Sequence, residues 1–173
     1  MIFRKATVYD FDKIFEIMEQ SFPRDERRPQ AAQKALFDNG KFSAYVMCDN
    51  DGIIGFVTTW QLVGFAFVEH LAVSPDHRNL GLGAKILSEL STSQNARLCL
   101  EVEPPQTDIA RRRIAFYERN GFYLNHFDYV QPAYTKQRNP VPLLIMTTDG
   151  AINAQEFENV KEQLYREVYR VDA

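Results

Sequence analysis

The chain has 173 residues, a formal net charge of −3, 45% hydrophobic residues and 13% aromatic residues. This composition suits one globular domain with a sizeable core and excludes a disordered chain. The slight acidity argues against general binding of nucleic acid or of anionic membranes. No stretch approaches the roughly 18 apolar residues of a membrane span, and the N-terminus lacks the pattern of a signal peptide. We therefore expect one domain over residues 1–173, located in the cytoplasm.

The first part of the chain predicts a strand, two helices and a three-stranded meander. The strand covers Ile2–Ala6, and the helices cover Tyr9–Glu19, with Asp10 as N-cap, and Gln30–Phe37. Between the helices lies Ser21–Pro29, a charged segment with two prolines that breaks the helical pattern. The meander strands, separated by turn residues, are Phe42–Cys48, Ile53–Leu62 and Phe65–Val73.

The second part predicts alternating helices and strands. A helix runs to about Ser91, followed by a strand, a helix, two strands and an amphipathic helix: Arg97–Val102, Asp108–Arg119, Phe122–Val130, Val141–Thr147 and Asn153–Tyr169. The chain is thus α/β, with a parallel crossover around the helix that ends near Ser91. The apolar face of Phe157–Val168 could support a homodimer. Cys48 and Cys99 lie in apolar runs and are expected to be buried, reduced thiols.

A glycine-spaced loop, Arg78-Asn-Leu-Gly-Leu-Gly83, precedes the helix that ends near Ser91. Gly81 and Gly83 would let backbone amides approach a ligand, and the first turn of the helix offers unpaired N–H groups at the positive end of its dipole. Arg78 adds a cation. The segment therefore suits a phosphate group, although the two glycines also suit a tight strand-to-helix turn. A P-loop nucleotide site is disfavoured, because Gly-x-x-x-x-Gly-Lys-Ser/Thr is absent.

Two motifs resemble those of the GNAT acyltransferases, which use an acyl group carried on coenzyme A. Arg78–Gly83 fits the pattern Arg/Gln-x-x-Gly-x-Gly/Ala, with Asn79 where glycine is common, and Ile114–Phe122 resembles the second motif. Over roughly residues 1–148 the resemblance implies an α+β fold: a mixed, mostly antiparallel central sheet of about seven strands, flanked by helices, with splayed central parallel strands. The last helix, over residues 152–170, lies outside this region.

The resemblance also implies acetyl-CoA as cosubstrate. Backbone groups of Leu71, Ala72 and Val73 would pair with the pantetheine arm. The pyrophosphate would contact Arg78 and the loop and helix residues Asn79, Leu80, Gly81, Leu82, Gly83 and Ala84. The basic run Arg111–Arg113 could contact the 3′-phosphate or form a solvated helix face.

Tyr117 lies where the acid tyrosine of the family lies, and its phenol could protonate a departing thiolate; the alternative is a packing aromatic. Glu69 is the first candidate for the general base and Glu101 the second, since an apolar cleft can raise the pKa of a carboxylate. The alternative for both is a solvent-facing strand carboxylate. His70 could replace Glu69 as base, although a structural histidine is favoured.

These features predict acetyl transfer to a primary amine of a small molecule or peptide by direct attack in a ternary complex. The alternative is a noncatalytic acyl-CoA-binding or regulatory protein. Ser21–Pro29 is the candidate segment for acceptor recognition, and Tyr129 and Tyr134 could line the same pocket or pack at the sheet edge. No nucleic-acid or membrane partner is expected. His77 and His126 lack partners at metal-ligand spacing, so no metal is expected.

Overall fold

The structure, a computed structural model, describes residues 1–171. Seven strands in this part of the chain form one sheet in the order β1-β2-β3-β4-β5-β7-β6. The strands are β1 Ile2–Lys5, β2 Phe42–Cys48, β3 Ile53–Leu62, β4 Phe65–Val73, β5 Arg97–Val102, β6 Tyr123–Gln131 and β7 Val141–Thr147. The pairs β1–β2, β2–β3, β5–β7 and β6–β7 are antiparallel. The helices are α1 Phe11–Ser21, α2 Gln30–Ala35, α3 Leu82–Ser93, α4 Asp108–Arg119 and α5 Ala154–Gln163, which continues as a π-helical segment over Leu164–Tyr169.

These elements confirm the α+β architecture expected from the sequence. The clearest difference lies at the start of α1, where Val8–Asp10 forms a separate 3₁₀ turn. Asp10 occupies the N-cap position of α1, as expected, but its side chain makes no capping hydrogen bond to the helix. Its carboxylate instead accepts the Thr7 N–H at 2.8 Å and pairs with Arg4 at 2.8 Å. Two close donors on the N-terminal side of Asp10 hold its side chain away from the helix amides.

One compact unit contains Met1–Gln61 and Val68–Asn95. Its core includes the apolar face of α1, whose buried residues recur at helical spacing. Phe42 and Trp60 meet edge to face, with ring centroids 5.5 Å apart. Full burial of such a side chain stabilises the fold by about 1.5–3 kcal/mol. This packing supports β3 and the last part of β4.

A second compact unit contains Leu62–Phe67 and the chain from Ala96 onward. Gln163 ties α5 to the turn before β4, accepting the Val63 N–H at 2.8 Å and donating to the Val63 carbonyl at 3.1 Å. Phe157, Val160, Leu164 and Val168 are all buried within the chain. Their apolar face is therefore not a surface on which a homodimer could form. Among residues 1–171, no helix has both the length and the apolarity needed to cross a bilayer.

Candidate active site

The loop before α3 adopts the backbone conformation that its residue types favour. Asn79 and Gly81 both lie in the left-handed region, with φ of 64° and 73°, which asparagine and glycine tolerate best. The Lys85 N–H bonds to the Gly81 carbonyl at 3.1 Å. The amides of Leu82–Ala84 precede that bond and have no acceptor within the helix. They therefore present hydrogen-bond donors at the positive end of a 12-residue helix.

Arg78 adds a positive charge beside these amides. Its Nε donates to the Val73 carbonyl at 3.3 Å, and a terminal nitrogen donates to Ser21 Oγ at 3.2 Å. Among residues 1–171, Arg78 has no carboxylate partner, and it is exposed. A cation with neutral neighbours at a helix N-terminus suits a phosphate ligand. The loop therefore has the donors and the charge that a pyrophosphate requires.

The strand before the loop alternates in exposure. Leu71 and Val73 are partly exposed, whereas His70 and Ala72 are buried. Glu69 is partly exposed, but its side chain is only 1% exposed. The exposed atoms of Glu69 are therefore those of the main chain. Accessible peptide groups on this part of β4 could pair with an extended amide-containing ligand such as pantetheine.

The Glu69 side chain is buried, so Glu69 is not the solvent-facing strand carboxylate that was one of its two expected roles. Its carboxylate pairs with Arg28 at 2.6 Å and accepts the Trp60 Nε1–H at 2.8 Å. Burial acts to raise the pKa of Glu69, but the charge of Arg28 and the hydrogen bonds outweigh it, so the pKa lies below its ordinary value. The expected rise towards neutrality was therefore wrong. A carboxylate that stays ionised in an ion pair is a poor proton acceptor near neutral pH.

Tyr117 lies on α4 in the second unit. Its ring packs against Phe116 and Phe122, with centroids 5.1 and 5.6 Å away. The residue as a whole keeps partial exposure, yet desolvation raises the pKa of its hydroxyl to about 12. Within the described chain, that hydroxyl makes no hydrogen bond. The Tyr117 hydroxyl therefore keeps its proton and donates it to no hydrogen bond among the described residues.

Glu101 lies on β5 in the same unit as Tyr117 and is surrounded by tyrosines. Its carboxylate accepts hydrogen bonds from the hydroxyls of Tyr129 and of Tyr169, the latter at 2.7 and 2.8 Å. Tyr134 packs on Tyr169, with centroids 5.1 Å apart. Desolvation and then the charge of Glu101 raise the pKa of Tyr129 well above its ordinary value. Tyr129 thus packs at the sheet edge, on the outer strand β6, and its hydroxyl also bonds to the buried Glu101 cluster.

Sequence reasoning missed Tyr169. The helical spacing singled out Phe157–Val168, and Tyr169 follows that apolar face out of phase. The π-helical segment has a wider turn than an α-helix, and it directs Tyr169 towards Glu101. π-helical turns are frequent at functional sites. No local feature of the sequence indicates the π-helical segment Leu164–Tyr169.

The arginine run at the start of α4 is engaged locally. Arg111 pairs with Asp108 and donates to the Pro105 carbonyl at 3.0 Å. Arg113 lies 3.6 Å from a carboxylate oxygen of Glu103. These exposed contacts favour a solvated helix face over a phosphate site. Among residues 1–171, no group of three or more His, Cys, Asp or Glu side chains could hold a metal ion.

The first unit thus contains Glu69 and the residues expected to bind the cofactor, Leu71–Val73 and Arg78–Ala84, whereas the second contains Tyr117 and Glu101. A solved structure from Bacteroides thetaiotaomicron, described as an acetyltransferase of the GNAT family, is 34% identical to the chain. It superposes with a TM-score of 0.90 and covers 99% of this chain and 100% of its own. The chain belongs to the GNAT family. The family model of the GNAT acetyltransferase domain matches residues 40–124.

Two further similar proteins are more distant. YjbC of Bacillus subtilis (strain 168), named as an acetyltransferase, is 29% identical over 127 residues, which are 72% of this chain and 62% of YjbC. The chain thus spans less than two thirds of that relative. An aminoglycoside 6′-N-acetyltransferase complexed with coenzyme A superposes with a TM-score of 0.62 at 17% identity, covering 86% of this chain and 96% of its own. At this identity the similarity shows a shared fold and no more.

Proposed function

We propose that this GNAT protein is an acyl-CoA-dependent N-acyltransferase that transfers acetyl from acetyl-CoA to a primary amine by direct attack in a ternary complex. The observation that carries the proposal is the loop before α3, where Asn79 and Gly81 take left-handed conformations and helix amides lie beside Arg78. Bound acetyl-CoA would supply an activated acyl group as a thioester. The residues Arg78–Ala84 would hold its pyrophosphate, and the exposed main chain of Leu71–Val73 would pair with its pantetheine arm.

The proton transfers are assigned to residues of the second unit. Tyr117 would give its proton to the departing thiolate, and its pKa of about 12 keeps the phenol protonated at neutral pH. Glu101 would take the proton from the amine, directly or through water. Glu69 is not assigned this role, since it is fixed in an ion pair with Arg28. The acceptor is a small-molecule or peptide amine.

Release of free thiol from acetyl-CoA with a panel of primary amines tests this assignment, together with calorimetric binding of acetyl-CoA. We expect saturable binding, amine-dependent thiol release, and a loss in kcat of about 10²–10⁴-fold in Tyr117→Phe with acetyl-CoA affinity within about twofold of wild type. The exposed Tyr123 offers a matched control, and Tyr123→Phe should keep full activity.

Three outcomes would contradict parts of the proposal. Absence of acetyl-CoA binding would remove the cofactor assignment. Tight binding without thiol release across a broad amine panel would favour a noncatalytic acyl-CoA-binding protein. If Tyr117→Phe turns over like Tyr123→Phe, Tyr117 is a packing aromatic and not the acid.

A further inference from the structure

The loop between α1 and α2, Phe22–Pro29, is attached to β4 through His70. The Phe22 ring meets the His70 ring edge on, with centroids 4.7 Å apart. His70 Nε2 lies 2.8 Å from the Glu26 carbonyl oxygen. A carbonyl can only accept, so Nε2 carries the hydrogen of this bond. His70 therefore donates to the backbone in the middle of the loop.

A second attachment lies at the end of the loop. Arg28 is 8% exposed and pairs with the Glu69 carboxylate at 2.6 Å. Its guanidinium also lies over the Trp60 ring, 5.6 Å from the centroid. Trp60 in turn donates to Glu69 at 2.8 Å. Removing one member of a buried ion pair leaves the other charge uncompensated, so a substitution of Glu69 should disturb this attachment.

His70 is ill suited to accept a proton itself. Burial lowers its pKa below the ordinary value despite the opposing effect of Glu69. Its Nδ1 is buried and has no hydrogen-bond partner in the described chain, and Glu69 lies 3.9 Å from it. The charges that act on the ring are those of the buried Glu69 and Arg28 and of the partly exposed Arg27. The geometry of His70 therefore shows a hydrogen-bond donor to the loop at Nε2 and no hydrogen-bond partner at Nδ1 in the described chain.

The attachments lie next to the proposed cofactor-binding segment. Glu69 and His70 directly precede Leu71–Val73, and Ser21, the last residue of α1, accepts a hydrogen bond from Arg78 at 3.2 Å. Any amine that reacts with an acyl group held along Leu71–Val73 must approach this part of the first unit. The α1–α2 loop is the segment that His70 and Glu69 attach to β4 at this place.

We propose that Glu69 and His70 are positioning residues, which hold the α1–α2 loop against β4 as a wall of the acceptor site and do not accept the proton of the amine. This inference rests on the proposed N-acyltransferase function. If Glu69 and His70 are positioning residues, their substitution should weaken binding of the acceptor amine and loosen the loop. Substitution of a general base would instead lower kcat.

Two substitutions of His70 separate these roles. Asparagine places its amide near the position of Nδ1 and loses the donor to Glu26, whereas glutamine reaches the position of Nε2 and can keep it. We expect His70→Asn to raise the KM for the amine at least tenfold with kcat within about threefold, and His70→Gln to restore the KM to within about threefold of wild type. Equal losses of kcat in both variants would show that the imidazole itself is required and would overturn the proposal.

For Glu69 the informative variant is Glu69→Gln, with the exposed Glu89→Gln as control. We expect a higher KM for the amine in Glu69→Gln and a retained acidic limb in the pH profile of kcat/KM. A drop in kcat of a hundredfold or more with loss of that limb would make Glu69 the base. Trp60→Phe removes the Trp60 donor and shortens the ring beneath Arg28, and it gives a milder version of the same effect, should Glu69→Gln fold poorly.

A measurement independent of turnover uses trypsin, because the loop contains Arg24 and Arg27. Cleavage after either residue, followed by mass spectrometry under native conditions, should be at least tenfold faster in His70→Asn and Glu69→Gln than in wild type or His70→Gln. Unchanged cleavage would overturn the proposal. If wild-type protein releases no thiol with any amine, the proposed function fails, and the cleavage rates then decide whether the loop is held by these residues.

Discussion

Gly55 on β3 is the position where a single added methyl group should disturb the proposed cofactor site. An ideal Cβ there would lie 2.9 Å from Ile86 Cδ1 and 3.0 Å from the Ala72 carbonyl oxygen. Ile86 is fully buried on α3, and Ala72 belongs to the main chain of β4. In Gly55→Ala, the Ile86 side chain must therefore reorient and the main chain of β4 at Ala72 must give by a few tenths of an ångström, and β4 carries residues proposed to bind acetyl-CoA.

The expected magnitude combines two opposing effects. Overpacking of a buried site costs about 1–3 kcal/mol, and replacing glycine by alanine returns about 0.4–1 kcal/mol by restricting the unfolded chain. We expect a net loss of about 1–2 kcal/mol in the free energy of unfolding. For a chain of this length this corresponds to a decrease of about 2–8 °C in Tm. The affinity for acetyl-CoA should fall at least fivefold.

Thermal unfolding and calorimetric titration with acetyl-CoA measure both effects. Gly40→Ala is the matched control, because a Cβ at Gly40 meets no heavy atom within 4 Å. It should be as stable as wild type or slightly more stable. A Gly55→Ala variant that melts with Gly40→Ala and binds acetyl-CoA normally would refute the close packing of β3, β4 and α3.

Two further predictions concern ionisable groups. The hydrogen bonds from Arg4 lower the pKa of Asp10 to about 2, below its ordinary 3.8, so the ionised pair stabilises the fold above about pH 4 and this contribution is lost as the pH falls towards 2. Because Arg4 is 43% exposed, urea unfolding at pH 7 should show Asp10→Asn destabilised by only about 1 kcal/mol; the difference should shrink near pH 2, and the exposed Asp12→Asn should show neither effect. Cys99 is fully buried, and burial raises the pKa of its thiol, so a disulfide reagent should label only the partly exposed Cys48 in native protein. Rapid labelling of native Cys48→Ser would contradict this burial.

Local features of the sequence were sufficient for most elements. The bounds of β2, β3, β4, β5, β7 and α4 agree with the sequence patterns residue for residue. Their ends lie at turn residues, such as Asp49–Gly52, whose preferences act within a few positions. In the same way, the asparagine at position 79 and the glycine at position 81 suit the left-handed conformations found there.

The roles of the carboxylates depend on partners that no local pattern identifies. Glu69 pairs with a residue 41 positions away, and Glu101 accepts a hydrogen bond from a residue 68 positions away. Strand parity places a side chain on one face of a sheet, but the pKa depends on the charges and donors that packing brings to it. A buried arginine therefore reversed the expected pKa shift of Glu69.

From the sequence alone came the order of the elements and the family, because each depends on residues close together in the chain. The packing of distant segments determined which carboxylate is held in an ion pair, which tyrosines surround Glu101 and which histidine holds the α1–α2 loop. Hydrogen bonds and charges act through space over a few ångströms, and only the folded chain brings these groups within that range.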